Sequence, residues 1–177
     1  MLISPVETLP GLCYDDQHTG MEINILIDEG LESYNLQVDW LEAVARRALA
    51  AQNADSNVEL SLVITTQEEV QRLNREYLGK DRPTDVLAFS MLPNAEDTEG
   101  NLPPFITPPD GLIHLGEVII SYPQAVIQAE EHHHPIKREI AILTIHGILH
   151  LLGYQDEKPE LKCLMAAREA DILSYIE

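Results

Sequence analysis

The stretch PIKREIAILTIHGILHLLGYQD, Pro135 to Asp156, decides how this 177-residue chain is read. Proline opens it where a helix has no use for an N–H, and Gly153 closes it as a C-cap, so the spacing predicts an apolar helix between them. His146 and His150 lie one turn apart, and both imidazoles therefore leave the helix on the same side. Burying two imidazoles among Ile142, Ile145, Leu149 and Leu152 is costly unless something bonds them. Two nitrogens so placed suit a tetrahedral metal at about 2.0–2.1 Å. Past Gly153 the chain doubles back, and Asp156 can bring a third ligand to the same ion. The full spacing, H-x-x-x-H-x-x-G-x-x-D, follows the H-x-x-x-H-x-x-G-x-x-H skeleton of one zinc-hydrolase class. Two or three protein ligands and an open position describe a catalytic metal rather than a structural one.

Gly147 limits the chemistry. Zinc peptidases of the H-E-x-x-H type keep at that position the glutamate that serves as general base. Glycine takes no proton, and an amide also needs an acid to protonate its poor leaving group. RNA is chemically different. Its own 2′-OH can act as nucleophile while a divalent ion polarises the phosphoryl oxygen. The missing glutamate therefore counts against a peptidase more than against a ribonuclease.

Around this helix the chain reads as one α+β domain, residues 21–177, preceded by a loose extension over residues 1–20. EINILID (Glu22–Asp28), VELSLVITT from Val58, DVLAFSM from Asp85 and IHLGEVIIS (Ile113–Ser121) have the composition of strands. Gln37–Gln52 is amphipathic, with Val38, Leu41, Val44, Ala45 and Leu49 on one face. Thr66 and Glu69 form a capping box for a helix to about Tyr77. Ser121 and Pro123 start another helix, and a last one spans about Pro159 to Tyr175. The order β-α-β-α-β-β-α-α-α predicts one small mixed sheet packed with helices. Pro93 to Asp110, acidic and proline-rich, is expected to be a surface loop.

Composition narrows the setting. The net charge is −19, from 30 acids against 11 bases, which excludes broad nonspecific attachment to nucleic acid. A local cationic track survives, because Arg72, Arg75, Lys80 and Arg82 fall in one stretch; the plainer reading of that stretch is a solvated helix face and charged loop. No segment approaches the ~18 consecutive apolar residues of a membrane span, and residues 1–20 lack the features of a signal peptide. Cys13 and Cys163 form no framework, so a reduced cytoplasm is the expected compartment. Cys163 reads as a small apolar helix residue.

Several segments together resemble the YbeY family of bacterial rRNA maturation factors, single-strand-specific endoribonucleases. LNREYLGKDRPTDVLAF (Leu73–Phe89) looks like the family's L-N-x-x-Y-R-x-x-D-x-P-T-D-V-L-S-F stretch. LGEVIIS (Leu115–Ser121) is similar to L-G-D-I-x-I-S, and REIAILTIHGILHLLGYQD (Arg138–Asp156) to R-E-x-x-x-L-x-x-H-G-x-L-H-L-x-G-Y-D-H. MAAREADIL (Met165–Leu173) matches M-x-x-x-E-x-x-I-L. The resemblance implies one zinc ion held by His146, His150 and Asp156. It also implies cleavage of single-stranded rRNA in maturation of the 16S 3′ end, late 30S assembly and rRNA quality control. The partners it implies are the 30S subunit and the GTPase Era.

Two residues depart from the family pattern. Asp156 stands where the third ligand is usually histidine; a carboxylate adds negative charge, so a bound water should be less acidic than in a three-histidine site. Glu157 is a rival ligand with longer reach, and register favours Asp156. Leu78 stands where the family has an arginine, and leucine cannot clamp a phosphate; Lys80, Arg82 or Arg75 are the nearby substitutes.

Other residues stay open on sequence alone. Thr84 and Asp85 make either a turn before a core strand or a part of the cleft. Glu117 faces either the metal or solvent. His132, His133 and His134 precede Pro135 in a loop, where adjacent side chains are expected to splay apart, and the run reads as plain exposure or adventitious metal capture rather than function. Met165 and Glu169 read as packing and surface positions. Two other functions stay in view: a metallopeptidase, which would need Glu117 or Glu157 as its base, and a non-enzymatic assembly factor stabilised by its metal.

Overall fold

In a computed structural model, residues 20–54, 57–92 and 112–176 are described. The extension expected over residues 1–20 lies outside them except for Gly20, as do Cys13 and the loop expected at Pro93–Asp110. The strands are β1 (Met21–Ile27), β2 (Val58–Thr65), β3 (Val86–Ser90) and β4 (Ile113–Ser121), and the helices α1 (Val38–Ala50), α2 (Gln67–Leu78), α3 (Tyr122–Glu131), α4 (Ile136–Leu151) and α5 (Pro159–Ser174). A 3-10 helix, Glu29–Tyr34, follows β1 and was not apparent in the sequence pattern.

The sheet has the order β1-β2-β4-β3; β1, β2 and β4 are parallel, and β3 is antiparallel to β4. This is the expected α+β arrangement with a mixed sheet. Strand alternation divides the apolar side chains between two faces. Leu60, Leu62 and Ile64 of β2, with Val118 and Ile120 of β4, join the main core, which also holds Leu41, Val44 and Leu49 of α1 and Ile140, Ile145 and Ile148 of α4. On the other face Leu87 and Ile119 pack with Val70 of α2. Val38, expected on the buried stripe of α1, is 45% exposed, because the packed face begins one turn later at Leu41.

Local signals fix the helix ends. Thr66 Oγ1 accepts the Glu69 N–H at 3.3 Å and caps α2. The reciprocal half of the box does not form, because Arg72 holds the Glu69 carboxylate. At the end of α4 the N–H of Gly153 bonds His150 O and that of Tyr154 bonds Leu149 O, both at 3.0 Å. This is a Schellman turn, and it requires Gly153's φ of 94°. Among the described residues no helix is long and apolar enough to cross a membrane.

Gly147 shows how closely α4 lies on the sheet. A Cβ there would stand 2.4 Å from Val118 Cγ1 and 3.0 Å from Cγ2. Gly147→Ala should therefore destabilise the protein by about 1–3 kcal/mol through overpacking. Urea unfolding of the single and double variants checks this: adding Val118→Ala should cost less in the Gly147→Ala background than in the wild type, whereas strictly additive costs would contradict the packing account.

Candidate metal centre

His146 and His150 project from the flank of α4 that the sheet leaves uncovered, half-buried, with ring centroids 4.6 Å apart and planes at 77°. Their Nε2 atoms approach to 3.0 Å. The outer nitrogens are both engaged. His150 Nδ1–H donates to the Tyr154 carbonyl at 2.9 Å, a group that can only accept. His146 Nδ1–H donates to Glu169 Oε1 at 2.5 Å. With each Nδ1 carrying a proton, the neutral rings turn their Nε2 lone pairs toward each other. Two acceptors at that distance need a positive charge between them. A shared proton or a metal ion meets the need, and outer nitrogens bonded to a carboxylate and a carbonyl are how metal-ligating histidines are oriented.

The electrostatics agree. Burial pulls the His146 pKa down, but the hydrogen bond and charge of Glu169, helped by Asp156 and Asp85, outweigh it and leave the imidazole above its ordinary value. For His150, burial and then the neighbouring His146 push the pKa down, against the weaker pull of Asp156 and Tyr154 O. One ring of the pair favours a positive charge and the other resists a second one. Asp156 Oδ2 lies 4.0 Å from His150 Nε2, and one donor atom from each of His146, His150 and Asp156 falls within 4.8 Å of the others. The donor set of two imidazoles and a carboxylate fits a zinc-type ion. The rival Glu157 is exposed and outside this group.

The Schellman turn has a second role here. Fixing Tyr154 by its N–H aims its carbonyl back at His150 Nδ1, so the local rule that ends the helix also orients a ring. Glu169 was read from sequence as a surface position, and that reading is corrected. It lies one turn after Met165, which is 1% exposed, and three residues before fully buried Ile172, on the stripe by which α5 meets the core. A lone acid on an apolar stripe was the available signal.

The remaining candidates separate by face. Glu117 is exposed on β4 and alternates with Val118, so it faces away from α4 and cannot reach the histidines. Asp85 accepts from Thr84 Oγ1, the Val86 N–H and Gln128 Nε2, which makes it an anchor for β3 and α3 whose field also reaches His146. Arg72 is held by Glu69 and Glu76, and Arg75 lies 3.9 Å from Asp81. Lys80 and Arg82 are exposed in the turn after α2, and Leu78 is 50% exposed just before it. Exposed Tyr77 stacks edge-on against Phe89 beside them. Cys163 is exposed on α5 rather than packed.

Comparison with known proteins points one way. The family model described as Endoribonuclease YbeY matches residues 27–177. A relative of that name from Dehalococcoides mccartyi is 44% identical over 156 residues, covering 88% of this chain and 90% of the relative. One from Geobacillus thermodenitrificans is 40% identical over 148 residues, covering 84% and 92%. One from Chloroflexus aggregans is 38% identical over 155 residues, covering 87% and 95%. The solution structure of a Thermotoga maritima protein matches with a TM-score of 0.51 at 24% identity, over 87% of this chain and 88% of that one, a likeness of fold.

Replacing Glu169 tests the orientation of the histidine pair. Glu169→Gln keeps the shape and removes the charge, and it should weaken zinc binding about 10–100-fold. Competition against a chromogenic chelator measures this, with far-UV circular dichroism expected to be unchanged. Undiminished affinity would mean that Glu169 does not support the site.

Proposed function

This chain belongs to the YbeY endoribonuclease family, and from that premise we propose that it cuts single-stranded ribosomal RNA with a zinc ion held by His146, His150 and Asp156. The reading places it in the cytoplasm, in maturation of the 16S 3′ end, late 30S assembly and rRNA quality control, with the 30S subunit and the GTPase Era as partners. The observation that carries it is the pair of Nε2 lone pairs converging at 3.0 Å while both Nδ1 atoms are engaged.

Bound there, zinc supplies Lewis acidity at a phosphoryl oxygen. The chain supplies position. His146 is held by Glu169 and His150 by the Tyr154 carbonyl, so neither ring needs to reorganise. Position 147 offers no base and no room for one, since even a Cβ would collide with Val118. That disfavours amide hydrolysis and suits RNA, whose 2′-OH already adjoins the scissile bond. Lys80 and Arg82, exposed after α2, are better placed than Arg72 and Arg75 to meet the backbone, because acids already hold or flank those two.

Two outcomes are expected on an end-labelled RNA carrying the 16S 3′ region. At low salt the purified protein should cut and His150→Ala should not. If both cut equally, the activity is a contaminant's; if neither cuts, the metal serves an assembly factor, the reading that Leu78 favours. Separately, replacing Lys80 and Arg82 with alanine should lower the slope of log affinity against log salt by about 1.4. Arg72→Ala should leave that slope nearly unchanged.

A further inference from the structure

The turn joining α3 to α4 gathers a second set of metal-type donors, unconnected with the first. The α3 helix ends in a Schellman turn of its own: the His133 N–H bonds Glu130 O at 3.2 Å and the His134 N–H bonds Ala129 O at 3.1 Å. The residue that reverses the chain is His133, at a φ of 56°, in a place glycine usually takes. That reversal undoes the expected splaying. His132 and His134 turn to the same side and meet Glu139 from the first turn of α4. His134 Nε2 lies 2.9 Å and His132 Nδ1 3.5 Å from Glu139 Oε2, and the two rings sit 5.6 Å apart. One donor atom from each residue falls within 4.8 Å of the other two.

We propose that His132, His134 and Glu139 form a second divalent transition-metal site that ties the end of α3 to the start of α4. Ligands at about 2.0–2.1 Å from a tetrahedral ion stand about 3.4 Å from one another, close to the two distances from Glu139. Two imidazoles and a carboxylate select zinc, nickel or copper over calcium or magnesium, which prefer all-oxygen sites. Glu139 is 2% exposed and lies in the first turn of α4, a buried carboxylate with both rings on its Oε2. His132 is exposed and gives an ion access from solvent. Glu139 and His146 are seven residues apart on one helix, a rise of about 10 Å. Paired catalytic metals lie about 4 Å apart, so the two sites act separately, and this one cross-links the fold without serving the reaction.

Stoichiometry of the full-length, metal-stripped protein tests the proposal. Titrated with Zn2+ by calorimetry and with Co2+ by visible absorption, the wild type should take up two equivalents. His132→Ala with His134→Ala should take up one and cut RNA as the wild type does. His132→Ala alone, at an exposed position where folding is not at risk, should weaken one equivalent more than about tenfold and leave the other unchanged. A wild type that binds a single equivalent, or a His132→Ala variant that binds both undiminished, would overturn the second site. A single equivalent that His132→Ala leaves intact and His150→Ala removes would keep the first site while overturning the second.

Discussion

The contact of Gly147 with Val118 is the constraint on which the rest of this structure turns. Because no Cβ intervenes, α4 lies directly on β4 and its apolar residues reach the core between the sheet, α1 and α3. That seating fixes the rotation of the helix, and the rotation leaves His146 and His150 on the flank that the sheet does not cover, within reach of α5. The same contact removes the position from which a zinc peptidase would act. One packing decision therefore shapes the fold, presents the two histidines and narrows the chemistry.

What surrounds the pair turns two half-buried imidazoles from a cost into a site. Side chains of this kind are stable in a protein interior only when each polar atom has a partner. Here the outer nitrogens find theirs in the protein, in Glu169 and in the Tyr154 carbonyl, and the inner nitrogens are left facing each other. A strongly acidic chain makes a cation welcome at that point, and Asp156 and Asp85 add to the field. The same acidity works against RNA binding. Lys80 and Arg82 stand exposed in the turn after α2, against that general charge.

Features governed by neighbours in sequence were legible before the structure. The i, i+4 histidines, the Thr66 cap, the Gly153 turn and the alternating strands each follow from backbone geometry over a few residues, and from them came the element order and two members of the candidate donor group. Features made by distant residues were not. Glu169 is 23 positions from His146, and only the docking of α5 brings them together. The sheet order β1-β2-β4-β3 depends on which strands find partners across long connections. The basic stretch is a local case that fits its plainer reading as a solvated, charged face: Glu69 and Glu76, three and four residues away, hold Arg72, and Asp81 flanks Arg75. The meeting of His132 and His134 on one side was not legible for a local reason: His133, a residue with a Cβ, adopts a left-handed conformation usually left to glycine.

The fold holds both rings as Nδ1–H tautomers with their Nε2 atoms turned toward each other. Long-range nitrogen–proton correlation NMR on 15N-histidine-labelled protein reads this directly. In the zinc-loaded protein, His146 and His150 should each show a protonated Nδ1 and an Nε2 shifted to the metal-bound range, and His150→Ala should return the His146 Nε2 signal toward that of a free ring. Either ring with its proton on Nε2 in the presence of zinc would contradict the account.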